Sequence, residues 1–344
     1  PGVCAFPDFT SAATRAWWGR YYAGMHQAGI RGYWHDMLEP AAFAAWGEMT
    51  FPRVTRHYLE GRGGDHHEAH NTYGLLQIQA AYEALRQQQP EKRPFIFSRS
   101  GWAGLQRYAW SWTGDTVSTW EGLHQTIATV LGLGLSGITY TGPDIGGFSG
   151  APSAELFLRW FQMAAFMPFF RNHSAQFTPR REPWVFGEPY LSIARAFMRL
   201  REQLVPYLYT LCWEASQTGA PLVRPLFWID DRDMGLWDVD DAFLLGNEIL
   251  LAPVLEPNAA VREVVLPKGQ WYCHWDDMRL EGPGRAECAV TLERMPVLVR
   301  AGSVLPLVQE GRLVLHLYAA PTNTGGGQLY SDDGDGYGPC RLDR

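Results

Sequence analysis

The sequence predicts an α/β region of parallel βα units followed by an antiparallel β-sandwich. Three observations carry this expectation. Up to about residue 228, short apolar runs alternate with stretches of helical spacing, the pattern that feeds a parallel sheet. Beyond about residue 241, short β-rich runs are punctuated by Gly, Pro and Asp, as in an antiparallel sandwich. Between them, Ile229-Asp230-Asp231-Arg232-Asp233 reads as a polar linker.

In the first region the candidate strands are 32–36, 94–99, 108–112, 137–141 and 222–227. Segments of helical spacing lie at 12–27, 74–89, 120–133, 154–166 and 190–217. Five strands are visible where a closed barrel needs eight. In the second region the candidate strands are 243–245, 248–253, 263–266, 270–274, 297–300 and 313–318.

At 344 residues the chain is long enough for two domains or for one large barrel with an accessory unit. Hydrophobic residues make up 46% and charged ones 19%, which places it among folded globular proteins. The net charge is −7 and the basic residues are scattered, so neither nucleic acid nor an anionic membrane is an expected partner. Fifteen Trp give an aromatic excess that suits stacking on sugar rings, although buried aromatics in a core explain any single one as well. Cys4, Cys212, Cys273, Cys288 and Cys340 are odd in number and form no CxxC, which points to a reducing, cytoplasmic compartment. No membrane span or signal peptide is expected, and a chain that opens on Pro1 reads as a fragment or a processed chain.

Functional side chains of parallel βα folds gather where strands end and loops diverge. The first candidate strand runs into Asp36-Met37-Leu38-Glu39-Pro40, the second ends in Arg99-Ser100, the third leads to Asp115, and the fourth reaches Gly142-Pro143-Asp144. Three acids and an arginine are thus expected on one rim. Two carboxylates about 5–5.5 Å apart suffice for retaining glycoside hydrolysis, one as nucleophile and one as general acid/base. Trp110 and Trp112 beside Asp115 would raise the pKa of an acid. A strand-end Asp taken alone is more often a cap or a loop hydrogen-bond acceptor, but four such ends in series weaken that alternative.

Four blocks in order resemble glycoside hydrolase family 31. Trp34-His35-Asp36-Met37-Leu38-Glu39-Pro40 is similar to its nucleophile signature, with Leu38 where Asn is common. Ser98-Arg99-Ser100-Gly101-Trp102-Ala103-Gly104, continuing to Trp112-Thr113-Gly114-Asp115, resembles the block that ends in the acid/base. Gly142-Pro143-Asp144-Ile145-Gly146-Gly147-Phe148 and the stretch from Arg159-Trp160 to Arg171-Asn172-His173 resemble the third and fourth. The resemblance implies a partial (β/α)8 TIM barrel, its fourth to eighth strands, over residues 1–235. A proximal C-terminal β-sandwich would follow at 236–308, and the start of a distal β-domain at 309–344. An N-terminal β-sandwich and three earlier barrel strands would then precede Pro1.

On this resemblance Asp36 forms the glycosyl-enzyme intermediate and Asp115 is the acid/base. Arg99, Asp144 and His173 hydrogen-bond the sugar, while Trp112 and Met37 line its wall. The implied activity is that of a retaining, exo-acting α-glucosidase that needs no cofactor and takes an oligosaccharide or α-glucoside, with a homo-oligomer among the assemblies expected. Alternatives are a non-catalytic carbohydrate-binding fragment, or an α-xylosidase, transglucosidase or α-glucan lyase with the same nucleophile.

Other motifs point elsewhere less well. His57, His66, His67, Glu68 and His70 match no zinc-ligand spacing, and Gly61, Gly63 and Gly64 predict a solvated loop for them. Ser331-Asp332-Asp333-Gly334-Asp335-Gly336 lacks the distal Glu of a calcium loop and reads as a turn. Gly132, Gly134 and Gly137 precede a strand, which rules out a dinucleotide fingerprint.

Overall fold

The computed structural model describes residues 4–42, 49–322 and 324–344. The chain divides into two compact units, Pro1–Ser111 with Asp332–Pro339, and Trp112–Ser331 with Cys340–Arg344.

The first unit opens with helices α1 (Ala12–Gly19) and α2 (Tyr22–Gln27), where the spacing predicts one continuous helix. The break follows Gly19, a poor helix former that is buried where a Cβ would stand 2.9 Å from the Ala84 methyl. Strand β1 (Gly32–His35) comes next, then the two-residue strands β2 (Arg56–His57) and β3 (Gly64–Asp65), which pair antiparallel. The long helix α3 (His66–Gln88) starts at Asp65, whose side chain accepts from Glu68 N. His66, His67, Glu68 and His70 are therefore helical, not a loop: the Asp65 cap and Glu68 in the first turn outweigh the preceding glycines.

Strand β4 (Phe95–Ser98) pairs parallel with β1, from Gly32↔Phe95 to His35↔Ser98. The expected third strand is reduced to a single parallel bridge between Phe97 and Trp110. Residues 332–339 return to this unit through turns. Asp335 meets Lys92, Asp332 meets Arg93 at 3.0 Å, and Arg86 lies 4.2 Å from the centre of the Tyr337 ring.

The second unit begins with α4 (Trp120–Leu135), α5 (Ala154–Ala164), α6 (Tyr190–Gln203) and α7 (Val205–Thr218). Thr119 and Ser153 cap the first two by accepting from Gly122 N and Leu156 N. The predicted helix over 190–217 is split at Leu204, because Pro206 occupies the first turn of α7 and cannot continue the ladder of α6. Segment 137–141, expected as a strand, forms no ladder. Its end is tied only by Phe169 N to Thr141 O at 3.2 Å, with Thr113 N reaching the neighbouring Gly142 O. Pro143 and Pro168 lack the N–H groups a ladder there would use.

The C-terminal sheet has the order β5-β6-β7-β10-β8-β9, with every pair antiparallel. Its strands are β5 (Val223–Arg224), β6 (Phe243–Leu245), β7 (Ile249–Leu251), β8 (Val261–Cys273), β9 (Arg279–Ala289) and β10 (Val297–Arg300). Segment 222–227 is thus not a parallel barrel strand. Its two ordered residues pair antiparallel with β6, and Pro225 ends them. Two further antiparallel pairs follow, β11 (Val304–Gln309) with β12 (Arg312–Leu317), and β13 (Leu329–Ser331) with β14 (Arg341–Asp343).

The core of this unit joins α4 to α7 with the inner face of the sheet, around the fully buried Trp160, Phe157, Phe166 and Phe243. All five cysteines are free thiols. Among the described residues no helix is long and apolar enough to cross a membrane.

Candidate active site

Each unit holds one cluster of the residues the sequence singles out. In the first, β1 and β4 end level with one another, and Arg99 N donates to His35 O at 3.0 Å. The next residues, Asp36 and Arg99, therefore leave the sheet side by side. Arg99 Nε stands 3.4 Å from Asp36 Oδ1, which also accepts from Met37 N at 3.0 Å. Met37 adopts a left-handed backbone, φ 59°, which turns the chain sharply after Asp36 and leaves the Met37 side chain exposed.

Glu39 fixes this arrangement. Its two oxygens accept from Arg99 Nε and Nη2 at 2.8 Å each, and Oε1 also accepts from Ser100 Oγ at 2.7 Å. Burial opposes ionisation of Glu39, but the hydrogen bonds from Arg99 and Ser100 and the Arg99 charge hold the carboxyl below its usual range. A bidentate carboxylate of this kind orients a guanidinium as well as neutralising it. Leu38 is buried beneath the turn, where Gly74 of α3 approaches so closely that a Cβ would sit 3.0 Å from Leu38 O. The Leu38 side chain packs against the same glycine, 3.2 Å from a would-be Cβ there.

Behind the turn, His35 is buried and stacked on Tyr22, with Nε2 3.1 Å from the tyrosine hydroxyl. Burial lowers its pKa to about 4, so the imidazole next to Asp36 is neutral. Elsewhere in this unit His57 Nδ1 is 3.0 Å from Asp8 Oδ1, His57 Nε2 is 3.1 Å from His66 Nδ1, and His66 Nε2 is 3.1 Å from His70 Nδ1. The ring nitrogens of this chain face one another, and no group of three His, Cys, Asp or Glu among the described residues could hold a metal ion.

The second cluster centres on Asp144, which is fully buried. Arg171 Nε donates to Asp144 Oδ1 at 3.0 Å, Nη2 reaches the same oxygen, and Ile145 N donates back to Arg171 O. The other carboxylate oxygen, Oδ2, is buried without a hydrogen-bond partner. Burial raises the Asp144 pKa to about 6; Arg171 works against the rise, and the charge of Asp115 adds to it. Asp115 itself is exposed, two residues beyond Thr113, whose N donates to Gly142 O at 3.2 Å. Arg171 lies 5.1 Å from the centre of the buried Trp112 ring and 5.5 Å from that of Phe169. The His173 ring packs on Phe148 with centroids 5.6 Å apart.

The loop after Asp144 is clamped by Arg181, which is buried and donates to the carbonyls of Gly146, Gly147 and Gly150. Gly147, at φ 81°, passes within 2.8 Å of Ser118 N as measured from a would-be Cβ, so no larger residue fits.

The arrangement of an exposed strand-end aspartate, a bidentate Glu–Arg support and a buried acid–arginine pair can now be set beside known proteins. Residues 1–211 match the glycosyl hydrolases family 31 TIM-barrel domain, and residues 219–305 match the family 31 C-terminal domain. The chain belongs to glycosyl hydrolase family 31. Alpha-glucosidase 2 of Bacillus thermoamyloliquefaciens is 40% identical over 97% of this family 31 chain. The chain spans 43% of that relative's length. A Flavobacterium johnsoniae family 31 dextranase, solved complexed with glucose, aligns over 96% of this chain and 42% of its own at 32% identity, TM-score 0.89. A family 31 α-xylosidase from Xanthomonas citri aligns over 96% of this chain and 38% of its own at 32% identity, TM-score 0.85.

Of the predicted site residues, Asp36, Met37 and Arg99 fall in the first cluster, and Trp112, Asp115, Asp144 and His173 in the second. Sequence reasoning missed three residues. Glu39 lies inside the first motif, and its value as an arginine partner was readable from an acid three residues past a strand end. Arg171 sits two residues before His173, and this alternation places both on one side of an extended segment. Arg181 carried no signal, because its role is to bind carbonyls of a distant loop.

Proposed function

We propose that this chain carries the catalytic machinery of a retaining, exo-acting α-glucosidase that hydrolyses terminal α-linked glucose. Asp36 is the nucleophile: its carboxylate attacks the anomeric carbon while Asp115 gives its proton to the departing glycosidic oxygen. In the second step Asp115 takes a proton from water, the water oxygen attacks the same carbon, and the bond to Asp36 breaks to release glucose. The observation that carries this reading is the support of Asp36, an exposed carboxylate at a strand end with Arg99 at 3.4 Å and Glu39 holding Arg99 in turn. A nucleophile must be presented bare yet oriented, and this arrangement does both.

Asp144, with an unsatisfied buried oxygen, supplies an acceptor for a sugar hydroxyl, and His173 and Trp112 complete the sugar's surroundings. The fold assignment that goes with this reading makes the β1–β4 pair part of the C-terminal half of a (β/α)8 barrel. The similarity to an α-glucosidase supports glucose as the sugar released, and the similarities to a dextranase and an α-xylosidase supply the alternative specificities.

The test is covalent trapping. The natively expressed protein, treated with a 5-fluoro-glucosyl fluoride and digested, should carry one hexosyl label on the peptide containing Asp36. Label on another residue, or rapid turnover without labelling, overturns the assignment. A faster reaction with the xylosyl analogue would move the specificity to α-xylosidase.

A further inference from the structure

Helix α7, the β6–β7 turn and the start of β11 line an open pocket of about 370 Å3 within the second unit, with both polar and apolar groups on its walls. None of its lining residues belongs to either carboxylate cluster, and its size falls at the low end of the roughly 300–1,000 Å3 found for small-ligand sites. Its floor is the fully buried Tyr207, whose hydroxyl lies 2.6 Å from Glu248 Oε2 and 2.7 Å from Leu245 O. Asn247 N donates to the same Oε2 at 2.9 Å. Arg224, almost wholly buried, donates to Glu214 Oε2 at 2.8 Å, to Asn247 Oδ1 at 2.6 Å and to Pro221 O at 2.7 Å.

One wall is backbone. Val304 N donates to Gly326 O at 3.0 Å, and Gly327 lies so near that a Cβ would stand 2.0 Å from Val304 O. The cavity is therefore walled by groups that are already bonded and cannot collapse into it.

Counting the donors and acceptors left over defines the guest. The bonds above use Oε2 of each glutamate and the amide oxygen of Asn247. Glu214 Oε1, Glu248 Oε1 and the Asn247 amide N–H groups take no part in these bonds. Carboxylate acceptors beside an amide donor match vicinal hydroxyls, each of which can donate to one and accept from the other. Glu214 is already paired with the buried Arg224 at 2.8 Å, and Arg344 also lines the pocket, so two guanidinium groups stand beside the two carboxylates. A neutral polyhydroxylated guest fits this balance better than a cation does. Leu211 and Val304 add the apolar surface that the C–H face of a sugar ring requires.

We propose that this cavity is a second carbohydrate site, which takes one or two neutral hexose units. It goes beyond the hydrolytic assignment and does not rest on it.

The experiment uses the natively expressed protein, with glucose and maltose as probes in ligand-observed NMR and in crystal soaks. Two variants define the site: Gln328→Trp, which fills the mouth from an exposed rim position, and Glu248→Gln, which keeps an acceptor for Tyr207 but removes the charge. The expected result is a hexose located in the cavity, with saccharide binding there at least about tenfold weaker in each variant. Hydrolysis of an aryl α-glucoside should be unchanged. An empty cavity in the soaks, binding unaffected by Gln328→Trp, or occupation by calcium or guanidinium in parallel titrations would overturn the proposal. A protein with no hydrolytic activity but a hexose in the cavity would refute the roles of Asp36 and Asp115 and leave this site standing.

Discussion

Glu39 with Arg99 and Asp144 with Arg171 are both carboxylate–guanidinium pairs, yet they are pushed in opposite directions. Glu39 has both oxygens bonded, three donors in all, and is held below its usual range in spite of burial. Asp144 has one oxygen on Arg171 and one with no partner, and complete burial carries it up to about 6. An opposite charge therefore does not decide the matter alone; the number of donors satisfied against the water lost does. The first pair is a fixed anion suited to holding Arg99 beside Asp36. The second is a group poised near neutrality, suited to accepting a new hydrogen bond.

The largest effects should come from the two proposed reacting carboxylates, Asp36 and Asp115. Asp36→Ala should lower turnover of an aryl α-glucoside by a factor of about 10⁵–10⁶, as loss of a covalent nucleophile does elsewhere. Asp115→Ala should cost about 10²–10⁴ for the same substrate. The second loss should shrink for α-glucosyl fluoride, whose leaving group needs no proton, and the first should not. Equal losses on both substrates would show that Asp115 is not the acid.

The sequence made these residues legible because strand ends concentrate function, and β1 and β4 were each placed within two residues by their short apolar runs. The same reading failed where backbone chemistry overrides pattern. Residues 137–141 look like a strand, but the prolines around them deny it a ladder. Strand β9 was not foreseen because Gly282, Pro283 and Gly284 interrupt its alternation, and β11 because it contains Pro306, which only a two-stranded edge tolerates. Motif reading found Asp36, Arg99, Asp115 and Asp144, whereas the partners that hold Arg99 and Asp144 came from packing. Whether an acid has donors on both oxygens or on one cannot be read from its neighbours in sequence.

Removing the fixed anion tests the support role directly. In Glu39→Gln the Arg99 guanidinium loses its bidentate partner and should turn to Asp36, pairing with the nucleophile. The expected outcome is a fall in kcat of about 10–100-fold with KM little changed, since a misplaced reacting group costs that much. Stability should drop by about 1.5–3 kcal/mol, the worth of hydrogen bonds to a charged group. A kcat near that of the parent would show that Arg99 is held by other contacts.

Asp144→Asn tests the poised group. The carboxyl binds its proton more tightly in the fold, with a pKa of about 6 against the ordinary 3.8 of an Asp, so it stabilises the fold fully at low pH and loses that contribution as pH rises through this window. Denaturant midpoints of parent and variant, measured across that range, should therefore converge or cross as pH rises. Parallel curves would mean that Asp144 is ionised throughout.

The smallest effect should come from His35, and its sign is the reverse. Its pKa is lowered by burial to about 4 from the ordinary 6.5 of a His, so its contribution to stability is present at neutral pH and is lost as pH falls through that interval. The structural reason is that an imidazolium needs acceptors for two N–H groups, while Nε2 meets the Tyr22 hydroxyl and Nδ1 is buried without a hydrogen-bond partner among the described residues. His66, also lowered to about 4, adds the same dependence in the same unit. In His35→Phe the hydrogen bond to Tyr22 is lost at every pH, but the acid-sensitive part is lost with it. The stability difference between parent and variant should favour the parent most at neutral pH and shrink as pH falls toward about 5. A difference that stays constant would show that His35 is not the group whose protonation loosens the strand behind Asp36.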